Sequence, residues 1–255
     1  TGKVGRPGSA LLPLRGQNNV QGSSDMGALP DTYSGYRRVD DEDTARAFEA
    51  AWGVPLSRRP GLKIPQMFDA AIAGELKAMW IFGEDVAQTD PNTAHVVRAL
   101  EALDFLVCQD IFETETTEYA DVILPAAAFS EKPGTYVNTE GRVQMADKAV
   151  FAPGDAREDW TILRAMADAL GVSVGFDSFD ELRAAMAKAV RALGREGLAD
   201  YGALPKAAKG AKAEGVITHA IKDFYLTNPI ARASATMQRC SAELLHGESF
   251  AEAAE

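Results

Sequence analysis

Cysteine and histidine are scarce in this chain. Its 255 residues hold two cysteines, Cys108 and Cys240, and three histidines, His95, His219 and His246, all far apart. They make no CxxC pair and no HExxH helix, so they offer neither a zinc site nor a cysteine-ligated cluster. A GxGxxG after a strand and a GxxxxGK phosphate loop are also missing. No apolar run reaches the roughly 20 residues that span a bilayer. Residues 1–20 do not read as a signal peptide, because no charged start is followed by an apolar stretch. Positive charge is short: 26 Lys and Arg face 37 Asp and Glu, for a net charge of -11. That balance argues against nucleic acid, which wants a basic face. A reduced, cytoplasmic setting is the default for so few cysteines.

What is present is a βαβ pattern over Lys77–Gln109. Met79-Trp80-Ile81-Phe82 is an apolar run too short for a helix and bounded by Gly83. A polar loop follows to Asn92, and a helix begins after Pro91 with Asn92 or Thr93 as its cap. Val96, Val97, Leu100 and Leu103 form its apolar stripe. Phe105-Leu106-Val107 is the next buried strand. In such sheets, ligands sit beyond the carboxyl ends of the strands. That edge carries Glu84, Asp85, Gln88, Thr89 and Asp90, and after the second strand Gln109, Asp110, Thr114 and Thr116. Acids, amides and hydroxyls make a poor phosphate cradle. They suit an amino-bearing base or a sugar. A solvated loop with a helix cap satisfies the same pattern equally well.

The other segments follow from the same signals. Residues 1–40 have little periodicity, and Arg15-Gly16-Gln17-Asn18-Asn19-Val20-Gln21-Gly22 reads as a loop of amides, each a donor and an acceptor. Residues 41–53 predict a short acidic helix, and Pro65 opens another that Gly74 ends. Glu118–Ala120 is a helical turn, Val122–Pro125 a buried strand, and 125–148 irregular, with Asn138 on a polar platform. Asp159–Gly171 predicts a helix capped by Asp159, with Trp160, Leu163, Met166 and Leu170 inward. Phe179–Leu193 predicts another. The fold class is α/β, a mainly parallel sheet flanked by helices, with a C-terminal helical tail. The expected divisions are 1–172 for the α/β domain, 173–195 for a helix, 196–220 for a flexible linker, and 221–255 for a docking tail. Cys108, inside an apolar strand, reads as a small buried hydrophobe and not as a nucleophile. The opening at Thr1 reads as mid-protein loop.

Several runs carry a family resemblance. Gly5-Arg6-Pro7-Gly8, Leu14–Gly22, Asp25–Pro30, Gly83-Glu84-Asp85, Gln109–Phe112 and Ala120–Pro125 resemble the catalytic subunit of molybdenum- or tungsten-dependent formate dehydrogenase. The likeness covers roughly residues 1–125. It implies a molybdopterin-oxidoreductase fold and a molybdopterin guanine dinucleotide cofactor. It implies that Gln17, Asn18, Glu84, Asp85, Thr89, Gln109, Ala126 and Asn138 lie along that cofactor, the carboxylates accepting from guanine or ribose. That family's iron–sulfur cysteines lie upstream of the stretch matched here, and its metal-ligating Cys or selenocysteine has no counterpart, so no catalytic or metal residue is expected in this chain. The second half, Glu131–Gly154, Ala156–Trp160 and Asp223–Ala235, resembles the large iron–sulfur subunit of respiratory complex I. That subunit carries a related domain that holds no pterin. The resemblances imply other oxidoreductase subunits as partners, NADH-oxidising and iron–sulfur ones among them. They imply a cytoplasmic protein, peripheral on the inner membrane face through a complex. The two readings are a formate dehydrogenase-like cofactor-binding part and a pterin-free scaffold.

Overall fold

A computed structural model describes residue 8 and residues 12–199, 221–227 and 229–248. The chain divides into two compact units, Thr1–Leu204 and Pro205–Glu255.

The first unit opens with helix α1 (Val20–Asp25) and a two-stranded ladder of β1 (Thr32–Tyr33) and β2 (Arg37–Arg38). The amide run read as a loop therefore ends inside a helix. Helix α2 (Glu42–Trp52) starts where Asp41 accepts from the Thr44 N–H at 2.7 Å and stops at Gly53, whose φ of 73° only glycine adopts freely. Helix α3 (Ile64–Ile72) feeds β3 (Ala78–Phe82). Short α4 (Val86–Thr89) lies within the polar loop, and α5 (Thr93–Glu101) follows with Asn92 as its cap. Strand β4 (Phe105–Asp110) pairs parallel with β3, and β5 (Val122–Pro125) pairs parallel with β4. Sheet order is β3-β4-β5. Phe68, Ile81, Val86, Val96, Leu100 and Leu106 bury together where α3, α4 and α5 cover this sheet. Each such side chain contributes about 1.5–3 kcal/mol by leaving water. The α/β class, a parallel sheet flanked by helices, is thus present.

Strand β5 differs from expectation. Val122 and Ile123 are exposed, because β5 is the sheet's edge and no described helix covers it. The segment expected to be irregular is a hairpin of β6 (Gly134–Val137) and β7 (Arg142–Ala146). Thr135, Tyr136 and Val137 have strand-forming side chains, and Asn138–Gly141 closes the turn with Gly141 at φ 80°.

Helix α6 (Asp159–Ala169) has Glu158, not Asp159, at its N-cap position, and the Glu158 side chain makes no capping hydrogen bond. Its expected inward face is half open: Leu163 and Leu170 are exposed, Trp160 and Met166 half-buried. Helix α7 (Phe179–Ala189) ends before a 3-10 turn at Arg191–Gly194. Val190 and Leu193 then pack on Val137 and Val143 in a core of their own. The stretch expected as a linker begins as β8 (Gly197–Leu198), which pairs with β7, and Glu196 accepts from the Met145 N–H at 2.8 Å. Its remainder, 200–220, lies outside the described residues.

The second unit carries α8 (Pro229–Ala233) and α9 (Ala235–Cys240), split at Ser234, whose hydroxyl caps α9. Phe224, Ile230 and Leu244 are exposed. Among the described residues no helix is long and apolar enough to cross a membrane, and no group of three His, Cys, Asp or Glu could hold a metal ion.

Candidate functional site

Two chain segments leave the parallel sheet at its carboxyl edge. After β3, Gly83 turns the chain at φ 63° and donates its N–H to the Gln109 carbonyl at 2.8 Å. Asp85 comes next. Its Oδ1 accepts from both the Thr116 N–H at 3.1 Å and the Thr116 hydroxyl at 2.6 Å. That hydroxyl in turn accepts from the Ala87 N–H at 3.0 Å. The two segments are therefore laced together through one buried threonine.

Beside this lacing lies a cleft of about 850 Å³ lined by Asp85, Gln88, Phe112, Glu113, Thr114, Glu115, Thr117, Glu118 and Ile123. No lysine or arginine is in that lining. The carboxylates accept hydrogen bonds, and Phe112 offers an exposed ring. Thr114 Oγ1 is buried without a hydrogen-bond partner. Such a set can hold a flat group rich in N–H donors.

The expected site residues separate. Asp85 lines the cleft. Glu84 accepts from the Thr89 hydroxyl at 2.6 Å, which holds both beside it. Gln109 is not in a loop. It is the fifth residue of β4 and buried, because β4 runs two residues further than its apolar core suggests. Its Nε2 donates to Asp159 at 2.9 Å, Lys132 pairs with the other Asp159 oxygen, and Gln109 Oε1 is buried without a partner. Ala126 is buried where its N–H donates to Asp110 and the chain bridges to Arg157. Asn138 caps its own hairpin, accepting from the Glu140 and Arg142 N–H groups at 3.0 and 2.9 Å. Gln17 and Asn18 are exposed. The neighbouring Asn19 spans to β6, donating to the Thr135 carbonyl at 3.0 Å and accepting from the Val137 N–H at 2.9 Å. The amide that reaches across the fold is thus Asn19, which holds the hairpin and not the cleft.

Phe112, Glu113, Thr114 and Glu115 belong to the stretch Asp110–Thr116, which the sequence marks as a second candidate ligand loop. Thr117, Glu118 and Ile123 line the cleft without having been singled out as ligand contacts, and the signal for Thr117 and Glu118 is that they continue the acid- and hydroxyl-rich run that begins at Glu113. Cys108 fits its reading as a buried hydrophobe. Burial, then the nearby Asp110 and Asp85 charges, push its thiol up to about 11.

Residues 1–169 match the family model described as molybdopterin oxidoreductase. The chain belongs to this molybdopterin oxidoreductase family. The family implies a molybdopterin cofactor. Residues 195–240 match a second family model, that of the C-terminal region of the NADH-ubiquinone oxidoreductase G-subunit. Among curated relatives, the chain is 49% identical over 189 residues to the F420-dependent formate dehydrogenase subunit alpha of Methanocaldococcus jannaschii, covering 72% of this chain and 28% of that one. It is 47% identical over 172 residues to the probable oxidoreductase YjgC of Bacillus subtilis, covering 67% and 17%. It is 46% identical over 186 residues to the putative formate dehydrogenase YrhE of the same organism, covering 71% and 19%. The chain thus spans less than a third of the relatives it matches. Acetylene hydratase from Pelobacter acetylenicus aligns over 50% of this chain and 19% of its own at TM-score 0.41 and 23% identity, too slight a likeness to bear on fold or function.

Proposed function

We propose that this chain is the part of a formate dehydrogenase-type oxidoreductase that holds the guanine end of a pterin–guanine dinucleotide in the Asp85 cleft. The observation that carries this reading is the chemistry of the lining. Guanine presents an N–H and an amino group side by side on one edge, and a carboxylate accepts from both. The cleft offers carboxylates, the orphan Thr114 hydroxyl and the Phe112 ring, and no cation for a phosphate. The residues fit a nucleobase and ribose better than the pyrophosphate.

When bound, the molybdopterin cofactor supplies the redox centre for two-electron oxidation of formate. This chain's own residues bind and orient. Asp85 Oδ1 is occupied by Thr116, which leaves Oδ2 to accept from one guanine donor, and the lining carboxylates Glu113, Glu115 and Glu118 supply the acceptor for the other. The Thr116 relay holds that carboxylate at a fixed angle, so little side-chain entropy is lost on binding. Phe112 offers its ring face to the base. Glu84 and Thr89 support the ribose side of the loop.

Titration of the chain with guanosine 5′-monophosphate, read by NMR line shifts, tests the reading. Binding should favour it over adenosine 5′-monophosphate by about tenfold and should weaken in Phe112→Ala. Equal binding of the two nucleotides would remove the guanine assignment.

One observation favours a second reading. Residues 195–240 match the C-terminal region of a complex I subunit. In that reading the domain is a pterin-free scaffold working through protein contacts. Molybdenum or tungsten analysis of the protein purified with all its natural sequence separates the two: metal at near one atom per chain counts against the scaffold.

A further inference from the structure

A groove of about 640 Å³ lies on the first unit between α2 and α7, away from the cleft residues. Its floor is apolar. Trp52, Val54, Val172 and Val174 are 36–47% exposed there, more apolar surface in one place than single surface residues explain. Its walls are low. Ala47 and Ala51 stand one turn apart on α2, and Ala185 and Ala189 one turn apart on α7. Small side chains at that spacing let a third helix approach closely between two others.

Its charge is one-sided. Arg37 and Lys188 are the groove's ionisable residues, in a chain whose net charge is -11. Arg37 is fixed in place. It donates to the Ser34 carbonyl at 3.1 Å and the Ala189 carbonyl at 2.8 Å, and lies 4.2 Å over the Phe48 ring. Lys188 is exposed and has no ion pair among the described residues.

We propose that this groove docks an acidic amphipathic helix of a partner polypeptide. The apolar stripe of that helix covers Trp52 and the three valines, and its carboxylates meet Arg37 and Lys188. This is recognition of a helix by a groove, in which anchors one turn apart supply affinity and charge supplies orientation. The inference is independent of the guanine cleft and survives if that reading fails.

Fluorescence anisotropy of the full chain with a labelled helical peptide of about 15 residues tests it, with leucines spaced i, i+3, i+4 and i+7 and glutamates elsewhere. Saturable binding is expected. Lys188→Glu should weaken it by about tenfold or more, and Ala51→Glu, which places a carboxylate in the groove, should abolish it. The same peptide with lysines for glutamates should not bind. Melting curves confirm that both variants fold, and the exposed Lys188 keeps the test open if Ala51→Glu does not. Equal binding of the two peptides, or parent-like binding by Lys188→Glu, would overturn the proposal. So would dodecanoate binding in place of the peptide with the same sensitivity to the variants, because the site would then take a fatty carboxylate.

Discussion

Asp85 and Thr116, 31 positions apart, share two hydrogen bonds on one carboxylate oxygen, and Thr116 passes the connection on to the Ala87 N–H. Thr116 is 1% exposed and Ala87 2%. Replacing the hydroxyl by a methyl, Thr116→Val, leaves a buried N–H without an acceptor. That costs about 1–3 kcal/mol. Thr116→Ser keeps the relay and should cost well under half as much. Urea unfolding midpoints of the two variants measure the difference. If both lose the same stability, the hydroxyl relay is not what joins these segments.

A second lacing joins α1 to the hairpin, and it depends on a glycine. A Cβ on Gly22 would come 2.3 Å from Asn19 Oδ1, the atom that accepts from Val137. Gly22→Ala should therefore push Asn19 off β6 and cost about 1–3 kcal/mol through the two lost hydrogen bonds. Asn19→Ala removes the same bonds directly. The two changes act on one contact, so the double variant should be no worse than about the worse single one. Additive losses in a denaturation cycle would separate Gly22 from Asn19.

The buried thiol gives a chemical test. Only the thiolate reacts with iodoacetamide, and Cys108 is 2% exposed with its pKa raised to about 11. In the folded protein near neutral pH, mass spectrometry of digested protein should find Cys108 unmodified while half-buried Cys240 is carboxamidomethylated. In denaturant both should react. Rapid native labelling of Cys108 would mean that β4 opens far more readily than its packing implies.

The legible parts of this fold were those where one residue type has one job. Asp41, Asn92 and Gly53 mark helix ends because a short acceptor or a positive φ is needed there. The β3-α5-β4 unit was legible because its period changes from strand to helix and back. The β6–β7 hairpin was not, because four- and five-residue strands flanked by Pro133 and a polar turn give too short a pattern. The apolar stripe of α6 says that something packs there without saying what, and Leu170 stays exposed here. The place of Asp85, an acid just past a strand, was legible, and it lines the cleft. Gln109 was misplaced because strand ends blur by a residue or two, and in a strand that shift turns an edge residue into a buried one. Within the amide run the sequence carries no signal for which member turns inward, and it is Asn19 that bonds the hairpin while Asn18 stays exposed.

The acid limb of stability should report on Glu49. Its Oε1 accepts from Arg58 Nη1 at 2.6 Å and from the Leu56 N–H at 2.9 Å, and its Oε2 from Arg58 Nη2 at 2.9 Å. The Arg58 hydrogen bonds, followed by the Leu56 N–H, hold its carboxyl at about 2 instead of 4.5. A pKa lowered by folding means that the unfolded chain takes up the proton first. The stability Glu49 contributes is therefore full above about pH 4.5 and is lost as pH falls through about 2. The pair is partly open to water, so the effect is that of a surface bridge strengthened by two further hydrogen bonds. Glu49→Gln should be less stable than the parent near neutral pH, since it keeps an acceptor and loses the charge opposite Arg58. Going down in pH, the gap between the two should close, because Glu49 of the unfolded parent takes up a proton below about pH 4.5 that the folded parent resists, while the amide does not titrate. Urea midpoints of both proteins at about pH 6 and about pH 3 measure this. A gap that stays constant or widens between those values would mean that Arg58 does not hold Glu49 ionised, and that α2 is tied to the 56–58 turn by the backbone bond alone.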